Sequence, residues 1–191
     1  MREIENGELK SASLSQLKEL CGELREEILA TVSRCGGHLS SNLGAVELTV
    51  ALHRVFDFPR DKIVFDVGHQ CYAHKLLSGR AGAFGSLRQE GGLSGFPKRS
   101  ESEYDCYGTG HAGTAISAAL GFAKARDLKG EKGAVIALVG DGSFNNGLIY
   151  EALNSLKILN TRILIVLNDN GMSISETVGS MAAVLKEMRE G

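Results

Sequence analysis

Two short turns carry the residues best suited to hold a metal, Gly140-Asp141-Gly142 and Asn168-Asp169-Asn170. Each follows an apolar run, Ala134 to Val139 and Ile163 to Leu167, that reads as a buried strand. Open α/β sheets bind ligands beyond the carboxyl ends of their strands, and a right-handed crossover between the two strands would let Asp141 and Asn170 converge. A carboxylate and an amide oxygen are hard donors. They suit Mg2+, which takes one or two protein carboxylates and leaves its other positions to phosphate and water. Gly142 and Ser143 open the following helix, where unpaired amides and the helix dipole favour a phosphate. Alone, an aspartate in such a turn serves as a helix cap or tight-turn residue. It is the pairing of two turns that points to a metal and a phosphate group sharing one pocket.

Three histidines offer proton transfer. His38, His69 and His111 each follow a glycine in a predicted loop. An imidazole with a pKa near neutrality can pass a proton to or from a developing alkoxide. His53 and His74 fall instead within helical stretches, where a structural or surface role is expected.

The elements that must position these groups follow from local signals. Ser13 with Gln16 has the form of a capping box, and Leu14, Leu17, Leu20, Leu24 and Ile28 recur at helical spacing, so a helix is predicted from Leu14 to Ser33. Cys35 to Gly44 reads as a loop and Val46 to Phe56 as a helix ending near Pro59. Lys62 to Val67 reads as a strand delivering Gly68-His69-Gln70 to a loop. The glycine-rich stretch from Gly79 to Gly110 is predicted to be mostly irregular and surface-lying. Helix returns from Thr114 to Leu128. A strand, the Gly-Asp-Gly turn, a helix through Tyr150, Leu153 and Leu156, and a further strand then form a βαβ unit, with a last helical segment from Ser180 to Gly191. The predicted class is α/β, a parallel sheet flanked by helices in a single domain.

Composition narrows the partners. With 191 residues and 43% hydrophobic content, the chain can fill an ordinary domain core. Its 21 basic and 23 acidic residues are interspersed, which favours neither a nucleic acid nor a membrane surface. Cys21, Cys35, Cys71 and Cys106 lie far apart without a C-x-x-C pair, as expected of reduced thiols. The N-terminus lacks a signal-peptide core and no window has the apolar length of a membrane span, so a cytoplasmic protein is expected.

The Gly-Asp-Gly turn followed by the Asn-Asp-Asn end resembles the diphosphate-binding motif of thiamine-diphosphate enzymes. The segments Gly36 to His53, Phe65 to Arg80, Gly91 to His111, Tyr150 to Asn154 and Met172 to Ser175 resemble 1-deoxy-D-xylulose-5-phosphate synthases far more closely than transketolases. The resemblance implies a thiamine-diphosphate-binding fold, thiamine diphosphate and Mg2+ as cofactors, and a transferase that joins pyruvate to glyceraldehyde 3-phosphate with loss of carbon dioxide. That reaction feeds isoprenoid, thiamine and pyridoxal synthesis. Carried over by position, Asp141, the Asn170 side chain and the Met172 carbonyl would bind Mg2+, and Gly142 and Ser143 would contact the diphosphate. His69, Gly110, His111 and Ala112 would line the cofactor, and His38 would transfer protons near the substrate. The family's members are several times longer and form dimers. The expectation is therefore an incomplete site, with pyrimidine and C-terminal domains absent and a second copy or a partner chain carrying the pyrimidine domain. The chain alone would then be inactive.

Departures from the family pattern leave the metal ligands in place. Gly110-His111-Ala112-Gly113-Thr114-Ala115 stands where the family has serines, Ser143-Phe144-Asn145-Asn146-Gly147 where it has a small apolar residue and a glycine pair, and Gly171 where it has glutamate. The competing readings are one subunit of a split transketolase-like enzyme and a non-catalytic cofactor-binding paralogue.

Overall fold

The structure, a computed structural model, describes residue 4 and residues 6–170 and 178–190. The chain divides into two compact units, Met1–Asp61 with Gly68–Gly108, and Lys62–Val67 with Thr109–Gly191.

The first unit is helical. Helix α1 (Asn6–Ser11) was not anticipated; it packs on α4 (Val46–Val55), and Lys10 Nζ donates to the Phe56 carbonyl at 2.6 Å. Helix α2 (Leu14–Cys35) starts at the predicted capping box, in which Gln16 N donates to Ser13 Oγ at 3.3 Å and Ser13 N to Gln16 Oε1 at 2.8 Å. It buries Cys21, Leu24, Ile28 and Val32 along one stripe and stops where Gly36 adopts φ 72°. The predicted loop from Cys35 to Gly44 contains a short helix, α3 (Leu39–Leu43). Its serines and glycines carry little helical signal. The turn is held by the buried Asn42 side chain, which donates to the His38 carbonyl at 2.6 Å.

Beyond α5 (Tyr72–Lys75) the chain makes a π turn (Leu76–Arg80) and a 3-10 turn (Phe84–Ser86), and Gly79–Gly110 is otherwise irregular, as predicted. It is not uniformly surface-lying. Phe84 and Leu87 are buried completely and Arg80 and Asp105 almost so, because the turns fold back over apolar and ion-paired anchors. His53 and His74 are likewise interior residues. Their ring nitrogens lie 2.9 Å apart, Nε2 of His53 to Nδ1 of His74, and both rings meet Phe58 edge-on. The structural role holds for both and the surface role for neither. The four cysteines are free, and burial pushes the Cys71 thiol up to about 12, so Cys71 is a small apolar core residue.

The second unit is built on a parallel sheet in the order β1 (Lys62–Phe65), β2 (Val135–Gly140), β3 (Leu164–Asn168). Lys62 pairs with Val135 through to Phe65 with Leu138, and Ile136 with Leu164 through to Gly140 with Asn168. The central strand reads Val-Ile-Ala-Leu-Val because it is buried on both faces; β3, at the edge, is half-exposed. Helix α6 (Ala115–Leu128) packs on β1 and β2, α8 (Gly147–Leu159) packs on α6, and the single turn α7 (Asp141–Phe144) sits against β2 and β3. Helix α9 (Ser180–Glu190) follows the predicted segment. The α/β class with a parallel sheet and flanking helices is thus as predicted. Among the described residues no helix is long and apolar enough to cross a membrane.

Burial is the largest influence on both interior histidines and drives their pKa values below the ordinary 6.5, although the bond to Asp105 opposes this at His74. The unfolded chain therefore binds more protons than the folded chain below that pH, and stability falls as the solution is acidified. Urea unfolding at about pH 7.5 and about pH 5.5 should show a loss approaching about 1 kcal/mol per imidazole, and His53→Gln should flatten the slope. A pH-independent midpoint in the unaltered chain would contradict the buried neutral pair.

Candidate functional site

Two groups of predicted residues are assembled, one in each unit. In the helical unit the rings of His38 and His69 stand 5.3 Å apart in a T-shaped arrangement, and Phe96 meets His38 edge-on at 5.9 Å. These residues are brought together by Asn42, which sequence reasoning missed. Its Nδ2 donates to the His38 carbonyl at 2.6 Å and to the His69 carbonyl at 2.7 Å, while its Oδ1 accepts from Tyr72 N at 2.8 Å. Only an amide can give two donors and one acceptor in this pattern. Tyr72 completes the arrangement, since the His38 amide points to its hydroxyl at 3.4 Å and a Cβ on Gly37 would lie 2.7 Å from that oxygen. Gly37 has φ 144°, so both backbone and space require glycine here. Partial burial and the charge of Arg88 push the His38 pKa below 6.5, which leaves the imidazole neutral and able to accept a proton near neutral pH.

In the sheet unit the polar residues gather just past the strand ends. Asp66, the residue after β1, is buried and its carboxylate accepts from Gly113 N at 2.8 Å and Ala115 N at 3.0 Å. It thereby caps α6 from a distant part of the sequence and pins the loop that holds Gly110, His111 and Ala112. Thr114 Oγ1 donates to the His111 carbonyl at 3.1 Å, which tightens the same turn. Asn146, one of the departures from the family pattern, caps α8 by accepting from Leu148 N at 3.0 Å and donates to the Ala112 carbonyl at 3.4 Å. A Cβ on Gly113 would lie 2.6 Å from Asn146 Cγ, and Gly113 has φ 85°. The loop of His111 and the segment after the Gly-Asp-Gly turn are therefore fitted to one another.

Asp141 is 5% exposed and opens α7 directly after β2, with Gly140 as a cap that brings no side-chain hydrogen bond. Gly142 and Ser143 sit in that first turn, whose amides have no partner within a helix. Because Gly140 is registered with Asn168, Asp141 and Asn170 follow neighbouring strand ends. Asn170 and His111 are exposed, and Met172 lies outside the described residues. Among the described residues no three His, Cys, Asp or Glu side chains form a metal cluster. The expected ligand set is of another kind, one carboxylate with an amide and a carbonyl.

A signal for Asp66 was present, an acid at the end of an apolar strand two residues before Gly68-His69, and Asn42 stands one helical turn after His38. Neither residue's partners can be read from local spacing.

The fold has close counterparts among transketolases. A transketolase from Campylobacter jejuni superposes with a TM-score of 0.77 over 93% of this chain and 32% of its own, at 23% identity. A transketolase variant from Pichia stipitis gives 0.72 over 83% and 27%, at 21% identity. At such identities the likeness establishes the architecture alone. Sequence carries the assignment further: the family model for 1-deoxy-D-xylulose-5-phosphate synthase matches residues 2–191. The chain belongs to the 1-deoxy-D-xylulose-5-phosphate synthase family. It is 58% identical over 182 residues to the synthase of Desulforudis audaxviator, covering 95% of this chain and 29% of that protein. With the synthase of Dictyoglomus turgidum it shares 58% over 183 residues, covering 96% and 30%. The chain thus spans about 30% of the length of these curated relatives.

Asn42→Asp preserves shape and the acceptor for Tyr72 but removes both donors and sets a carboxylate against two carbonyls. Urea unfolding should show a loss of about 2–3 kcal/mol. A change below about 0.5 kcal/mol would mean that Asn42 does not hold the two histidine segments together.

Proposed function

We propose that this chain supplies the diphosphate- and magnesium-binding part of a thiamine-diphosphate transferase that condenses pyruvate with glyceraldehyde 3-phosphate and releases carbon dioxide. The observation that carries the reading is the register of Gly140 with Asn168, which sets Asp141 and Asn170 after adjacent strand ends. Family membership supplies the reaction; the donor types supply the fit.

In this reading Asp141 and Asn170 give Mg2+ two oxygen ligands and the Met172 carbonyl a third. The metal and the first-turn amides of Gly142 and Ser143 hold the diphosphate. Asp141 suits the task because a buried carboxylate favours a cation beside it. The loop of Gly110, His111 and Ala112, pinned by Asp66, is the sheet unit's further contribution to the cofactor. His38, kept neutral, accepts or returns a proton near the substrate. Thiamine diphosphate itself supplies the reactive carbon needed to make and break carbon–carbon bonds beside a carbonyl. The remaining wall of the cofactor pocket, in this reading a pyrimidine-binding domain, lies outside these 191 residues. The protein acts in the cytoplasm.

Isothermal titration calorimetry of the 191-residue chain with thiamine diphosphate should give weak binding that requires Mg2+. Asp141→Asn should weaken it at least about tenfold, the equivalent of about 1.4 kcal/mol, while far-ultraviolet circular dichroism stays unchanged. Tight binding without a metal, or binding indifferent to Asp141→Asn, would contradict the assignment.

A further inference from the structure

The densest group of charges in the helical unit lies in its interior. Lys75, which is 0% exposed, donates from Nζ to Glu101 Oε2 at 2.6 Å. Arg80 grips Asp105 with two bonds, Nη1 to Oδ2 at 2.7 Å and Nη2 to Oδ1 at 2.9 Å. Two cations face two carboxylates, so the formal charges cancel. Burial on its own would raise the Asp105 pKa, but the hydrogen bonds from His74 and Arg80 more than offset it and hold the group far below the usual carboxylate range. A carboxylate can only accept. His74 Nε2, 3.2 Å from Asp105 Oδ1, therefore carries the proton, His74 Nδ1 accepts, and His53 Nε2 donates to it at 2.9 Å.

Each carboxylate has a second task. Glu101 Oε1 accepts from Ser94 N at 2.7 Å, and Asp105 Oδ2 accepts from Lys98 N at 2.8 Å. The irregular segment from Ser94 to Asp105 is thus folded back onto its own acids, and those acids are anchored in α5 and the π turn by Lys75, His74 and Arg80. Phe96 lies between the two clamped amides, and it is the Phe96 ring that meets His38 at 5.9 Å. An apolar core would stabilise this unit as well as buried ion pairs do, whereas a half-broken ionic set is strongly unfavourable. Such a set therefore favours one geometry over its neighbours.

We propose that Lys75, Arg80, Glu101 and Asp105 are positioning residues for His38, a charge-balanced clamp that fixes Phe96 against the imidazole and so sets the polarity around it. The functional meaning rests on the reading of His38 as a proton-transfer residue; the geometry does not. The other groups facing His38 are the His69 ring, the Tyr72 hydroxyl at its amide, and the charge of Arg88.

The test is solution NMR of the chain without cofactor, following the titration of the His38 ring and the nuclear Overhauser contact between the Phe96 and His38 rings. Glu101→Gln breaks the clamp and should weaken the ring contact and let water reach the imidazole, raising the His38 pKa toward 6.5 by at least about 0.3 against the small lowering that loss of a negative charge gives by itself. Glu131→Gln, an exposed change in the other unit, should do neither. Should Glu101→Gln fail to fold, Arg80→Lys keeps the charge, loses the two-bond grip and should shift His38 in the same direction by a smaller amount. A folded Glu101→Gln or Arg80→Lys with an unaltered His38 titration and intact ring contact would overturn the proposal. Because no cofactor is present, failure of cofactor binding by calorimetry and failure of the clamp are read separately.

Discussion

The parallel register of β1, β2 and β3 is the constraint on which the sheet unit's polar residues depend. Pairing Phe65 with Leu138 and Gly140 with Asn168 aligns the three carboxyl ends, so that Asp66, Asp141 and Asn170 each fall just beyond a strand. A slip of one residue would turn each strand's side chains over and bury a polar end or expose an apolar one. The apolar central strand resists such a slip, being covered on both faces. Past the last paired residues the chain departs abruptly, with Val67 at φ 59° and Gly68 at φ 86°. A β-branched residue in the left-handed region is uncommon and is kept only where surrounding bonds fix the backbone. Here Asp66 supplies them, donating its amide to the Leu138 carbonyl at 2.7 Å while its carboxylate holds the loop before α6.

The two units use different chemistry for one task, fixing irregular segments that carry functional side chains. Asp66 satisfies two amides and must be an acceptor; Asn42 satisfies two carbonyls and one amide and must be mainly a donor. Glu101 and Asp105 go further by joining loop amides to buried cations. In each case a polar side chain in the interior replaces the backbone pairing that a helix or strand would have provided.

What could be read from the sequence was what local spacing encodes. The capping box at Ser13, the stripe through Leu24 and Ile28, and the apolar strands ending in Gly-Asp-Gly and Asn-Asp-Asn were legible because their partners lie within one turn or one strand. From these followed the sheet, its parallel sense and the neighbouring positions of Asp141 and Asn170. Asp66 and Asn42 were not legible as anchors, since their partners are 47 and 30 positions away. Lys75, Arg80 and Asp105 were hidden for the same reason, and charge together with glycine made their segment resemble a solvated surface. Helix α3 depends on the tertiary bonds of Asn42 more than on its own propensity, so composition concealed it.

The central claim, that Asp141 and Asn170 share one cation beside a diphosphate, is tested most directly by crystals of the chain grown with thiamine diphosphate and Mn2+ in place of Mg2+. Anomalous scattering should place the metal within about 2.0–2.5 Å of an oxygen of each side chain, with the diphosphate against the amides of Gly142 and Ser143. A metal bound elsewhere, or a diphosphate held away from that first turn, would contradict the account.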